Sequence, residues 1–131
     1  MTASFQRVVP RLPAAELKPA VEFYVNLLGF KLGLLWPESA PTFAILDRDH
    51  VSVQFCLAES PGEVVLERAT LCFDVDDVRA LHASLEGRIA VEWGPEVYWY
   101  GRREFAIRDP TGYLLIFSEQ TDDPPMRPEG S

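Results

Sequence analysis

The stretch GRREFAIRDPTGYLLIF, residues 101–117, holds two apolar runs on either side of Asp109-Pro110-Thr111-Gly112. Aspartate, proline and glycine stand at the first, second and fourth places of those four, as a type I turn prefers. The spacing therefore predicts strands over 103–108 (REFAIR) and 113–119 (YLLIFSE), joined as a hairpin. Upstream, 88–93 (RIAVEW) reads as a further strand. Residues 76–86 read as a short helix whose Val78, Leu81 and Leu85 form an inner face, stopped by Gly87. Residues 68–75 (RATLCFDV) read as the strand that opens this half.

The first half has the same order. Residues 6–12 (QRVVPRL) suit a short strand containing Pro10, and 16–28 (ELKPAVEFYVNLL) place apolar residues at helical spacing, with Pro19 tolerable in the first turn. Gly29 stops this helix, and strands are predicted at 30–36, 41–47 and 51–57, the last two joined by a turn over Asp47-Arg48-Asp49-His50. A shift of 58 positions lays Phe23 on Leu81, Leu27 on Leu85 and Gly29 on Gly87. One β-α-β-β-β unit is used twice, over about 6–57 and 68–119. The expected domain is 1–121, and the proline-rich, polar stretch 122–131 is expected to be a loose tail.

The chain has 131 residues, 47% of them hydrophobic, with 20 acidic against 12 basic side chains and a net charge of −8. This is the composition of one ordinary globular domain. The acidity disfavours nucleic-acid backbones and anionic membranes as partners and favours cationic small molecules. No membrane-length apolar run and no secretory leader pattern are present, so a cytoplasmic protein is expected. Cys56 and Cys72 are expected to be buried free thiols.

PAVEFYVNLLGF (19–30) followed by GRREFAIRDPTGYLLIF (101–117) resembles the vicinal oxygen chelate superfamily, and within it the bleomycin resistance and glyoxalase-like proteins. The resemblance covers about residues 7–119. It implies an α+β fold of two βαβββ modules forming a half-open curled sheet, within a homodimer. A proline in the first strand, as at Pro10, is associated in these proteins with exchange of that strand between subunits, although an edge strand in a monomer explains it too.

The enzymes of this superfamily hold a divalent metal with His, Glu or Gln from the first and last strands of each module. The matching positions here are Val9, Gln54 (or Val53), Thr70 and Ile116. Two of these side chains have no lone pair, and one amide oxygen cannot hold a transition metal against water. No metal, no other cofactor and no catalytic residue are therefore expected. His50 falls in a turn and His82 mid-helix, both expected to be solvated. Ser52 and Cys56 have no histidine placed to activate them.

What remains is binding. Trp93, Tyr98, Trp99 and Tyr100 cluster on what reads as a loop, where aromatic rings could stack on a planar ligand, cap the core or form the dimer contact. In the bleomycin resistance proteins the matching loop lines the ligand groove, with Tyr100 the best match to the family's groove tryptophan. Strand alternation puts Thr70, Cys72 and Asp74 on one face. Asp74 there could pair with a cationic ligand or cap the helix near Asp76. Trp36 and Phe43 are groove or core candidates, and Gln54 could hydrogen-bond a bound amide. The expected function is metal-free sequestration of a planar, cationic small molecule. The alternatives are a metal-dependent glyoxalase- or dioxygenase-like enzyme, or a binding module for another metabolite.

Overall fold

The computed structural model describes residues 2–60 and 69–127. Arg68 of the fifth predicted strand and 128–131 of the expected tail lie outside the described residues. The chain divides into two compact units, Met1–Val64 and Val65–Ser131. Each is a βαβββ module with an open four-stranded mixed sheet, so the α+β class and the repeat both hold.

In the first unit the strands are β1 (Arg11–Ala14), β2 (Lys31–Trp36), β3 (Phe43–Arg48) and β4 (Val51–Leu57), in spatial order β1-β4-β3-β2. β1 begins at Arg11, not at Gln6. Pro10 has no N–H to give, and only its carbonyl joins the sheet, accepting from Gln54 N at 2.9 Å. Val9 therefore precedes the ladder. Helix α1 (Leu17–Glu22) continues as one wider turn over Phe23–Leu27, closed by a bond from Leu28 N to Phe23 O, five residues back. Gly29, at φ +73°, then lets Phe30 N reach Tyr24 O at 2.9 Å and ends the helix. The core of this unit is built round Tyr24, fully buried, its ring 5.2 Å from Phe55.

In the second unit β5 (Thr70–Asp74), β6 (Trp93–Tyr98), β7 (Arg102–Arg108) and β8 (Leu114–Gln120) stand in the order β5-β8-β7-β6. Helix α2 (Val78–Leu85) is capped by Asp77, whose Oδ1 accepts from Ala80 N at 3.0 Å, so Asp74 is not the cap. His82 is half-buried with its ring edge-on to Phe105 at 5.2 Å, not solvated; His50 is exposed in the β3–β4 turn. The predicted turn holds: Gly112 N donates to Asp109 O, and Asp109 Oδ1 accepts from the N–H groups of Gly112 and Tyr113, each at 2.9 Å.

The largest departure is β6. The strand expected over 88–93 lies instead over Trp93–Tyr98, so most of the supposed aromatic loop is strand. Gly94-Pro95 reads as part of a loop but forms a bulge, with the β6–β7 register slipping between Trp93 and Glu96. Pro95 fits because β6 is an edge strand and needs no donor there. After β8, part of the segment expected to be loose is held at defined points. Val97 and Met126 exchange both backbone hydrogen bonds, at 2.9 and 3.0 Å, and Arg103 pairs with Asp123. No helix among the described residues is long and apolar enough to cross a membrane.

Candidate functional site

Successive side chains of a strand alternate between faces. In the second sheet Phe73, Val97, Phe105, Ile107, Leu115 and Phe117 are buried on the α2 side. The ladder register then assigns Cys72 and Asp74 of β5, Ile116 and Ser118 of β8, Arg102 and Glu104 of β7, and Trp93, Glu96 and Tyr98 of β6 to the opposite, open face. The hairpin turn Tyr98–Gly101 adds Tyr100. The rings of Tyr98 and Tyr100 are parallel, 5.5 Å apart with 7° between planes, and Trp93 meets Tyr98 edge-on at 6.0 Å. Trp99 touches Tyr100 edge-on at 5.4 Å but is 85% exposed.

Two carboxylates meet the hydroxyl groups of these rings. Glu96 and Glu104 are direct cross-strand partners, an arrangement that like charges disfavour. Each is engaged by a phenol: Tyr100 Oη donates to Glu104 Oε1 at 2.6 Å, and the Tyr98 hydroxyl bonds Glu96. Burial first, and then the bond to Glu104, push Tyr100 up to about 12. Burial and the bond to Glu96 raise Tyr98 as well. Both phenols are donors at neutral pH. Asp74, proposed from sequence as a free acid, is taken by Arg102, which also donates from Nε to Ser118 Oγ at 2.6 Å. Cys72 is exposed, against the expectation of a buried thiol, and free. Partial burial, followed by the Glu104 charge, raises its pKa, so the thiol is protonated and a poor nucleophile.

In the first unit, Arg11 of β1, Phe43 of β3, and Gln54 and Cys56 of β4 share one face by register. The Arg11 guanidinium lies over the Phe43 ring, 5.0 Å from its centroid, and Nε donates to Gln54 Oε1 at 2.8 Å. Trp36 pairs with Phe43 in the ladder and is 61% exposed. Of the residues named from sequence, the structure brings Trp93, Tyr98, Tyr100, Cys72 and Asp74 to one open face, leaves Trp99 largely exposed beside it, and places Trp36, Phe43 and Gln54 on the other sheet. It missed Glu96, Glu104, Arg102 and Arg11. Glu96 follows from alternation once β6 is placed at 93–98, Glu104 and Arg102 follow from alternation along β7, and Arg11 follows once β1 starts there.

The four positions that the family resemblance assigns to metal ligands do not fit a cation. Val9 and Ile116 offer no donor atom, Thr70 a neutral hydroxyl, and Gln54 an oxygen already bonded to Arg11. Among the described residues, no group of three or more His, Cys, Asp or Glu side chains converges, and no buried side-chain nitrogen or oxygen lacks a partner. A shallow pocket of about 420 Å³ adjoins the open face of the second sheet. Glu96, Val97, Tyr98 and Trp99 line one side of it, and Pro125, Met126 and Arg127 the other.

Residues 5–117 match the family described as Glyoxalase/Bleomycin resistance protein/Dioxygenase superfamily. No curated protein sequence matches the chain. Among solved structures, the chain is similar to the bleomycin-binding protein from bleomycin-producing Streptomyces verticillus complexed with copper(II)-bleomycin (24% identity, 93% of this chain and 100% of that one, TM-score 0.73). It is similar to TnmS3, an antibiotic binding protein from Streptomyces sp. CB03234 (24%, 92% and 100%, TM-score 0.74). It is also similar to lactoylglutathione lyase from Agrobacterium tumefaciens (20%, 89% and 96%, TM-score 0.70).

Proposed function

The chain belongs to the glyoxalase/bleomycin resistance protein/dioxygenase superfamily, and we propose that it is a metal-free binding protein that sequesters a planar, cationic small molecule, as resistance proteins do with bleomycin-type antibiotics. The observation that carries this reading is the open face of the second sheet, where stacked tyrosines lie against two carboxylates. Aromatic rings prefer offset stacking on flat apolar ligands, and their electron-rich faces attract cations. Arg102 balances Asp74, and Glu96 and Glu104 remain beside the rings as the carboxylates that a positive ligand meets. The net charge of −8 speeds its capture from a distance.

Likeness to a bleomycin-binding and an antibiotic-binding protein is consistent with a binding role, and the aliphatic Val9 and Ile116, at two of the four positions that the resemblance assigns to metal ligands, support binding over catalysis. We take the active form to be a cytoplasmic homodimer, as the family resemblance implies. Titration calorimetry with bleomycin, copper-free and copper-loaded, tests the reading: saturable heat at protein concentrations on the order of tens of micromolar is expected. Absence of heat with both forms eliminates bleomycin as ligand. Stoichiometric nickel, zinc, iron or manganese in the purified protein would overturn the metal-free binder in favour of a metal-dependent enzyme.

A further inference from the structure

The aromatic hairpin has a second support that its own sheet does not supply. β6 is the edge of its sheet, and its outward backbone groups at Val97 are taken by Met126 in both directions. Thr121 N donates to Gly101 O at 2.9 Å, holding the hairpin turn itself. Arg103, 5% exposed among the apolar side chains of the α2 face, is paired with Glu119 and Asp123. A guanidinium so deeply placed needs its carboxylates, because an unpaired buried charge is costly. Asp123 N in turn donates to Thr121 Oγ1 at 3.1 Å, stiffening the link between these contacts. Residues 121–126 thus grip the hairpin at its turn, its edge and its back, while Tyr98 and Tyr100 occupy its open face.

We propose that the segment Thr121–Arg127 is a working part of the ligand site: latched through Asp123 and Met126, it fixes the hairpin that carries Tyr98, Trp99 and Tyr100, and it forms the far wall of the pocket that Glu96 and Tyr98 share with the open face. Asp123 and Met126 are positioning residues, acting through Arg103 and Val97. The wall they bring is Pro125, Met126 and the aliphatic stem of Arg127, which suits a flat or branched apolar substituent of the ligand beside Trp99. The proposal rests on the binding reading for its ligand, but its structural test does not involve one.

Residue-resolved NMR of the full chain, with Asp123→Ala, Asp123→Glu and Met126→Pro variants, tests it. In the wild type the Val97 and Met126 amides exchange slowly and together. Asp123→Ala accelerates both at least about fivefold and shifts the Trp99 indole N–H and the Tyr98 and Tyr100 ring signals. The Leu115 amide in β8 stays unchanged, Asp123→Glu restores most of the protection, and Met126→Pro reproduces the loss. Unchanged Val97 exchange in Asp123→Ala and Met126→Pro overturns the latch. Faster exchange with unmoved aromatic signals overturns the positioning role, leaving a segment that merely covers an edge. Bleomycin titration of the same variants then reads affinity, with about a fivefold loss expected in Asp123→Ala. Failure of the wild type to bind bleomycin counts against the function proposed above and leaves the exchange and chemical-shift outcomes to decide the latch on their own.

Discussion

Replacing Gly94 by alanine should damage this protein far more than the same change at Gly87, another glycine with positive φ. Gly94 sits at φ +87° in the bulge that aims Glu96 and Tyr98 onto the open face. A Cβ there would lie 2.3 Å from the Glu104 carbonyl oxygen and 2.8 Å from Phe105 Cα, both backbone atoms of β7 that can yield only if the strands part. Left-handed strain costs about 1–2 kcal/mol, and overpacking against a strand adds about 1–3 kcal/mol. Gly87 is at φ +74° with nothing within 4 Å of its Cβ, so Gly87→Ala meets the strain alone. At about 4 °C per kcal/mol for a domain of this size, Gly94→Ala should lower Tm by about 8–20 °C and Gly87→Ala by about 4–8 °C. Thermal unfolding followed by circular dichroism measures both. Equal losses in the two variants would refute the close approach of β6 to β7 and, with it, the placement of the aromatic strand.

Three further outcomes are expected. Glu104→Gln should weaken bleomycin binding about tenfold, and Tyr100→Ala more, because the first removes a carboxylate beside the ring and the second removes the ring; calorimetry showing wild-type affinity in both would place the ligand elsewhere. Stability should fall as pH rises from about 10, where unfolded tyrosines ionise, toward about 12, where Tyr100 does, because the unfolded chain loses these protons first. Urea midpoints at successive pH values check this, and Tyr98→Phe with Tyr100→Phe should flatten the decline. Asp109→Ala removes the acceptor of two turn N–H bonds and should cost about 2–3 kcal/mol, with Asp109→Asn recovering most of it; a urea midpoint unmoved by the alanine change would mean the turn holds without its side chain.

Where the amino-acid pattern and the fold agree, the information is local. Apolar spacing, the glycines at 29 and 87 and the Asp109–Gly112 turn act within a few residues, so both helices, the β7–β8 hairpin and the doubled βαβββ order are legible without coordinates. Gly94-Pro95 misleads because the same dipeptide serves a loop or an edge-strand bulge, and only the presence of β7 beside it selects the bulge. The aromatic candidates are legible as a cluster, since four rings fall within eight positions, but not as a stacked pair on one face.

The amino-acid order by itself therefore determined the module and its repetition. The folded chain decided which charges are spent and which are left. Asp74 is answered by Arg102, 28 residues away, Gln54 by Arg11, and Arg103 by Asp123 beyond the last strand. Such pairings depend on which strands become neighbours and in what register, and no short-range pattern encodes the meeting of residues that only the sheet brings within hydrogen-bonding distance.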